Sequence, residues 1–179
     1  FAFTGQVLDL LTGVGVSRVV TVSSIGHRIL STIDLDDLQA EKRYNRVSAY
    51  GRSKLSNLLF TYELQRRLAE AGLPTEALAA HPGVSDTELA RHMPGANLLS
   101  PVMKVFTQDA VTGALPTLRA ATDPDATGGE YYGPDGFMEY AGHPVLVHSN
   151  PRSHDADLQR RLWESSEELT GVGFDLTNG

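Results

Sequence analysis

The chain is most constrained by an alternation. A short run rich in β-branched residues, Ser17-Arg18-Val19-Val20-Thr21-Val22-Ser23-Ser24, is followed by a long amphipathic helical run from Ser48 to Gly72 and then a second short run, Thr75 to Ala80. The first run predicts a buried strand. The helical run places Leu55, Leu58, Leu59, Tyr62 and Leu68 on or near one face and Arg66, Arg67 and Glu70 outside it, and Gly72 ends it. The second strand has a weaker signal because alanine favours helix. Pro74 before it and His81-Pro82-Gly83 after it bound it as a strand is bounded. Two βα-type units in succession predict a parallel sheet with helices on its faces.

The flanks extend this pattern. Phe1 to Leu11 reads as helix, with apolar Phe3, Val7, Leu8, Leu10 and Leu11. No capping residue precedes Phe1, so the expectation is a start inside an element rather than a natural terminus. Gly13-Val14-Gly15 precedes a strand, whereas a dinucleotide-binding turn follows one, so it reads as a turn. The polar stretch between Ser24 and Tyr50 carries Asp34, Asp36, Asp37, Glu41, Lys42, Arg43 and Arg46. It reads as a solvated excursion with a short helix around Leu35 to Glu41, or else as part of a site rim. Further helices are expected over Asp109 to Ala121 and His154 to Leu169, and a short strand over Glu130 to Tyr132.

Composition narrows the function classes. The 179 residues fit one domain with a sizeable core. Acidic residues outnumber basic ones, 22 to 15, which disfavours nucleic acid and anionic membrane surfaces as partners. No apolar run approaches the roughly 20 residues of a membrane span. The absence of cysteine removes disulfides, thiolate nucleophiles and Cys-ligated zinc, and suits a cytoplasmic location. A histidine metal site is disfavoured as well, because His143, His148 and His154 lie in Pro/Gly-broken sequence. Ser24 lacks the preceding glycine of a G-x-S-x-G nucleophile elbow.

In parallel sheets ligands gather at the carboxyl ends of strands, where Ser24 and His81-Pro82-Gly83 fall. The intervening helix begins with Tyr50-Gly51-Arg52-Ser53-Lys54, and residues four apart share a helix face. A phenol beside an ammonium is acid/base geometry, since a nearby cation favours the phenolate. Taken singly, each element has a bland reading: Tyr50 and Lys54 a solvated face, Ser24 a turn cap, Pro82-Gly83 an ordinary strand-to-helix turn, His81 a hydrogen-bonded structural residue. Their joint convergence on one crevice is what carries a functional reading.

In this order, VVTVSS ending at Ser24, YGRSK from Tyr50 to Lys54 and HPGVSDT from His81 to Thr87 closely resemble the short-chain dehydrogenase/reductase family. The excursion containing DLDDLQAEKRY, with GALPTLRAATDP and GGEYYGPDG downstream, resembles its retinol-dehydrogenase-like branch, which includes relatives of light-dependent protochlorophyllide reductase. The resemblance implies an incomplete Rossmann-type α/β fold, a doubly wound parallel sheet. Residues 1–179 would form the C-terminal catalytic and substrate-binding part of a single domain. The family's N-terminal dinucleotide-binding βαβ unit and Asn-Ala-Gly stretch do not occur in this sequence, and the catalytic Asn of many members would lie just before Phe1.

The chemistry so implied is NAD(P)-dependent interconversion of an alcohol and an aldehyde or ketone. Ser24 would hydrogen-bond the substrate oxygen and Tyr50 would act as general acid/base. Lys54 would bind the cofactor ribose and favour the Tyr50 phenolate. Pro82, Gly83 and the backbone at Ser85 would line the nicotinamide, with the Thr87 hydroxyl near its carboxamide or phosphate. NADP is preferred over NAD through the branch resemblance alone. ELARHMPGANLLSPVMKVFTQ would be either an apolar lid selecting a hydrophobic substrate or ordinary packed helix. A homo-oligomer formed through the Phe1 helix and the Tyr50 helix, or the same faces covering the sheet, both fit. The reading from a different class is a catalytically silent binding or scaffold protein that keeps the fold.

Overall fold

The computed structural model describes residues 1–84 and 108–176. Its elements run α1 (Ala2–Thr12), β1 (Arg18–Val22), α2 (Arg46–Glu70), β2 (Glu76–Ala80), α3 (Ala110–Thr122), β3 (Tyr131–Pro134), β4 (Pro144–Leu146) and α4 (Ala156–Thr170). The strands form one sheet in the order β1-β2-β3-β4. β1, β2 and β3 are mutually parallel, with Val20 opposite Leu78 and Ala79 opposite Tyr131. β4 runs antiparallel to β3 because the link from Asp135 to His143 is too short for a parallel crossover. The expected parallel arrangement is present, with this antiparallel strand added at one edge.

Side chains alternate across the sheet as the strand period requires. On one face Val19, Ala77, Ala79 and Tyr131 meet Leu8 of α1, Leu58, Leu64 and Leu68 of α2 and Trp163 of α4. On the other, Val20, Leu78, Ala80 and Tyr132 meet Ala120 of α3. Helices therefore cover both faces, and the sheet is an incomplete Rossmann-like α/β arrangement. The alanines of β2, fully buried, let two helix layers close on a central strand. Burial on both sides overrides their helix preference, which is why this strand was the harder one to read.

The ends of α2 are set locally. Asn45 accepts from the Val47 and Ser48 amides at 3.0 and 3.1 Å, so the helix starts two residues before Ser48. It stops at Gly72, whose φ of +68° allows the Leu73 amide to reach back to the Leu68 carbonyl at 3.0 Å. The excursion is more structured than its composition suggested. Leu35–Asp37 forms one turn of 3-10 helix, and Ile33, Leu35 and Leu38 pack on Leu55, Leu59 and Leu162. Three apolar residues spaced through an acidic stretch are enough to anchor it.

Arg18 ties the sheet to α3. Its guanidinium donates to the carbonyls of Asp123 at 2.7 Å, Ala126 at 2.8 Å and Ala120 at 3.4 Å, and pairs with Glu76 at 3.1 Å. These carbonyls lie at and beyond the C-terminus of α3, where they lack helical partners and the dipole favours a cation. Arg18→Ala is expected to cost ~2–4 kcal/mol, because the part-buried Ala120 and Ala126 carbonyls lose their donor and Glu76 loses its partner. The midpoint of urea unfolding measures this, and Arg18→Lys should recover only part of the loss because an ammonium cannot span the same acceptors.

Candidate active site

Tyr50, Lys54 and Ser24 meet at the carboxyl end of β1, and a glycine makes the meeting possible. A Cβ at Gly26 would lie 2.6 Å from Tyr50 Cε1 and 3.5 Å from Ser24 Oγ, so the phenol ring and the hydroxyl border the same point. Gly51 does the same for the helix. A Cβ there would lie 2.1 Å from the Ile29 carbonyl oxygen and 3.0 Å from that of Gly26. The head of α2 therefore rests directly on the backbone of the 3-10 turn Ile25–Arg28 that follows Ser24. Ser23 adds a pin from the strand, donating its hydroxyl to the Lys54 carbonyl at 2.8 Å.

Each of the three side chains keeps a free function. Ser24 Oγ accepts from the Gly26 amide at 3.1 Å, so the turn-capping role is present, yet its hydrogen has no acceptor among the described residues. Tyr50 is exposed over about one-third of its surface, at 36%. Lys54 Nζ lies 5.7 Å from the Tyr50 ring centre and 3.5 Å from the Val22 carbonyl oxygen. Burial holds the Lys54 ammonium below the ordinary lysine range, and among the described residues no carboxylate pairs with it.

The turn after β2 is equally specific. Gly83 has a φ of +67°, and a Cβ on it would lie 2.3 Å from the Tyr140 carbonyl oxygen. The Val84 amide donates to that same oxygen at 2.7 Å, and Gln108 donates from its side chain to the Pro82 carbonyl at 2.7 Å. The structure thus brings Ser24, Tyr50 and Lys54 together and holds Pro82-Gly83 at the adjacent strand end. Ser85, Thr87 and the apolar segment after them lie outside the described residues, except Gln108.

Behind the site is a buried polar layer, of which the sequence reading included only His81. His27, fully buried, donates from Nδ1 to the Ser24 carbonyl at 2.5 Å and accepts at Nε2 from the Asn150 amide at 3.0 Å. These partners dictate a neutral ring, and burial pushes its pKa down. His81, also fully buried, accepts at Nδ1 from the Gly83 amide at 3.2 Å and donates from Nε2 to Glu139 at 3.1 Å. Desolvation takes its pKa down to about 4, against the partial opposition of Glu139. Its structural reading holds. The Tyr131 ring lies between them, 5.7 Å from His27 and 5.3 Å from His81. The sequence carries no signal for His27 or for the partners of either ring, because His27 depends on Asn150 and His81 on Glu139, both far along the chain.

A stability consequence follows from His81. Above pH 6.5 it is neutral in both folded and unfolded chains, and the folded state loses nothing. Between pH 6.5 and 4 the unfolded chain takes up a proton that the folded one refuses, so stability falls by up to ~3 kcal/mol. His27 acts in the same direction. Urea midpoints between pH 7.5 and 4.5 should show this decline, and His81→Gln should flatten it.

Two other places were candidates. Ser149 contacts His154 Nε2 and Tyr62 Oη, both at 2.8 Å, and Ser153 Oγ at 2.7 Å. Ser153 spends its own hydrogen on the Asn150 carbonyl at 2.5 Å, so Ser149 donates to Ser153 and receives from His154. A serine that receives a proton from histidine is not an activated nucleophile. A cavity of about 540 Å³ follows β1 between α1, α2 and α4 and is lined by none of the three converging side chains. No cluster of metal-binding side chains occurs among the described residues.

The chain is 34% identical over 178 residues to human retinol dehydrogenase 14, covering 96% of this chain and 49% of that protein. It is 38% identical over 175 residues to human retinol dehydrogenase 12, covering 98% and 52%. These relatives bear out the resemblance to the retinol-dehydrogenase-like short-chain dehydrogenases/reductases. Human polyprenol dehydrogenase is 33% identical over 187 residues, covering 99% of this chain and 53% of that one. A crystal structure of an uncharacterized protein from Mycobacterium paratuberculosis superimposes with a TM-score of 0.70 at 42% identity, over 89% of this chain and 52% of that one. No family model matches the chain. The chain spans about half the length of the curated relatives it matches.

Proposed function

We propose that this chain carries the catalytic and substrate-binding part of an NAD(P)-dependent oxidoreductase that interconverts an apolar alcohol and its aldehyde or ketone. The observation that carries the reading is the meeting of Tyr50, Lys54 and Ser24 at the end of β1, beside a Pro82-Gly83 turn of positive φ. Lys54 supplies the fit to a nicotinamide cofactor. A half-buried ammonium with spare N–H donors and no carboxylate among the described residues suits the paired hydroxyls of a ribose. The cofactor, NADP by preference, would supply the hydride acceptor or donor.

The chain's own residues do the rest in this reading. Ser24 donates its hydroxyl hydrogen to the substrate oxygen, while the Gly26 amide holds the Oγ in place. Tyr50 gives its proton to that oxygen during reduction and takes it back during oxidation. Lys54, one turn further along the same helix face, favours the phenolate by its charge. An apolar substrate is supported by exposed Ile29 and Leu30 on the substrate side and by Phe137 and Met138 beside Glu139. The relatives named for retinol and polyprenol carry apolar alcohols in their names. In this reading a nucleotide-binding unit completes the sheet along β1, which is an edge strand among the described residues.

Titrating the full-length protein with NADPH and with NADH, following nicotinamide fluorescence, and then offering a panel of apolar alcohols and carbonyls tests this proposal. Saturable binding and turnover are expected. If neither coenzyme binds and no substrate turns over, the scaffold reading replaces it.

A further inference from the structure

The two sides of the site come from different parts of the chain. Ser24 and its 3-10 turn follow β1, and Pro82-Gly83 follows β2. Catalysis by hydride transfer needs the substrate oxygen, held on one side, and the cofactor, held on the other, to sit within near-attack distance. The β1–β2 ladder fixes the roots of the two turns, its last bond running from the Ser23 amide to the Ala80 carbonyl at 2.8 Å, and the parts of the turns beyond it need a further tie.

Glu139 connects them. Both oxygens of its carboxylate lie within reach of Arg28 Nη2, at 2.9 and 3.0 Å in one forked contact, and it accepts from His81 Nε2 at 3.1 Å. Arg28 is the last residue of the turn after Ser24, and its Nη2 also donates to the His148 carbonyl at 2.5 Å. On the other side, His81 Nδ1 receives the Gly83 amide. One carboxylate thus spans from the Ser24 turn to the nicotinamide-side turn. The next residue, Tyr140, holds Val84 through its carbonyl at 2.7 Å.

The chain gives up conformational freedom to place this carboxylate. Met138 and Glu139 have φ values of +52° and +60°, two successive non-glycine residues in the left-handed region. Each costs on the order of 1 kcal/mol and persists only where surrounding contacts over-determine it. Gly133 is fitted to the same arrangement, since a Cβ on it would lie 2.1 Å from His81 Nε2. Arg28 and Glu139 are both partly exposed, at 34% and 22% of their side chains, so little stability is expected from the pair itself. An arrangement that stores strain and returns little stability, next to an acid/base group, has the features of a positioning element.

We propose that Glu139 is a positioning residue which, through Arg28 and His81, sets the distance between the Ser24 side and the Pro82-Gly83 side of the site. This rests on the oxidoreductase reading above. Glu139 touches neither substrate nor cofactor; it acts through the two turns.

The test uses the full-length enzyme, with Glu139→Gln, Arg28→Gln and the double variant compared in single-turnover hydride transfer. Each single variant should lower the hydride-transfer rate ~10–100-fold while coenzyme affinity by fluorescence changes less than about threefold, since misplacement by 1 Å costs about 10²-fold. The primary deuterium isotope effect on steady-state turnover should rise as hydride transfer becomes limiting. The double variant should be no slower than the slower single one, because the residues act as a unit. A purely structural role would lower the melting temperature and leave the rate per folded site and the isotope effect as in the parent, and that result overturns the proposal. If Glu139→Gln does not fold, the more exposed Arg28→Gln decides alone. A parent protein that neither binds coenzyme nor turns over would sink the oxidoreductase reading itself, whereas an active parent with unaffected variants sinks only the positioning role.

Discussion

Tyr50→Phe is expected to lower the rate of hydride transfer by roughly 10³-fold or more, within or above the ~10²–10⁴-fold typical of a positioned general acid/base. The substitution removes one oxygen and leaves the ring, whose edge packs against Gly26, in its place. The hydroxyl sits on a residue exposed over about one-third of its surface, so its loss leaves no buried partner unpaired and the fold should be unaffected. Coenzyme affinity should stay within a few-fold, because Lys54 rather than Tyr50 carries the ribose contact in the proposed arrangement. Single-turnover rates with saturating coenzyme and substrate, together with nicotinamide fluorescence titration, separate the two effects. A variant that turned over substrate at the parent rate would remove Tyr50 from the mechanism. Lys54→Met should differ in kind, weakening coenzyme binding and slowing the reaction together.

The second large effect is expected at Gly51, and its sign is opposite to what local propensity alone predicts. Alanine in place of glycine within a helix is ordinarily stabilising by about 1 kcal/mol. Here the added methyl would lie 2.1 Å from the Ile29 carbonyl oxygen, a backbone atom with no rotamer to escape into. Relief requires α2 to move off the turn that follows Ser24. The net cost is expected to be ~2 kcal/mol, from the overpacking cost of about 1–3 kcal/mol. The same displacement carries Tyr50 and Lys54 away from Ser24, so the hydride-transfer rate should fall by more than tenfold even in the folded fraction. Unfolding midpoints and rates per folded molecule measure the two parts. An exposed helix glycine would respond in the reverse direction; a stabilised, fully active Gly51→Ala protein would show that the helix does not rest on this turn.

The legible part of the fold was the part governed by short-range pattern. β1 was legible because Val19, Val20, Thr21 and Val22 combine β-branching with short length, and α2 because its leucines keep helical spacing to Gly72. β4 escaped notice because Pro144-Val145-Leu146 is three residues long and gains its status only by pairing with β3. The excursion looked solvated because its charges outnumber Ile33, Leu35 and Leu38, whose burial depends on α2 and α4 arriving beside them.

The sequence by itself determined the chemical vocabulary of the site. Tyr50 and Lys54 share a face because of the helix repeat, and Ser24 and Pro82-Gly83 end strands because β-branched and turn residues bound them. What only the tertiary structure decided is how these pieces are held at working distance. Gly26 and Gly51 are glycines because backbone and ring must approach within van der Waals contact across the α2–turn junction. His27 is neutral because Asn150 donates to it, and His81 because Gly83 does. The Arg28–Glu139–His81 connection joins residues separated along the chain by up to 111 positions. Local pattern carries no information about which distant polar groups will share a buried space. Hydrogen-bond satisfaction in that space is a property of the folded arrangement and not of any one segment.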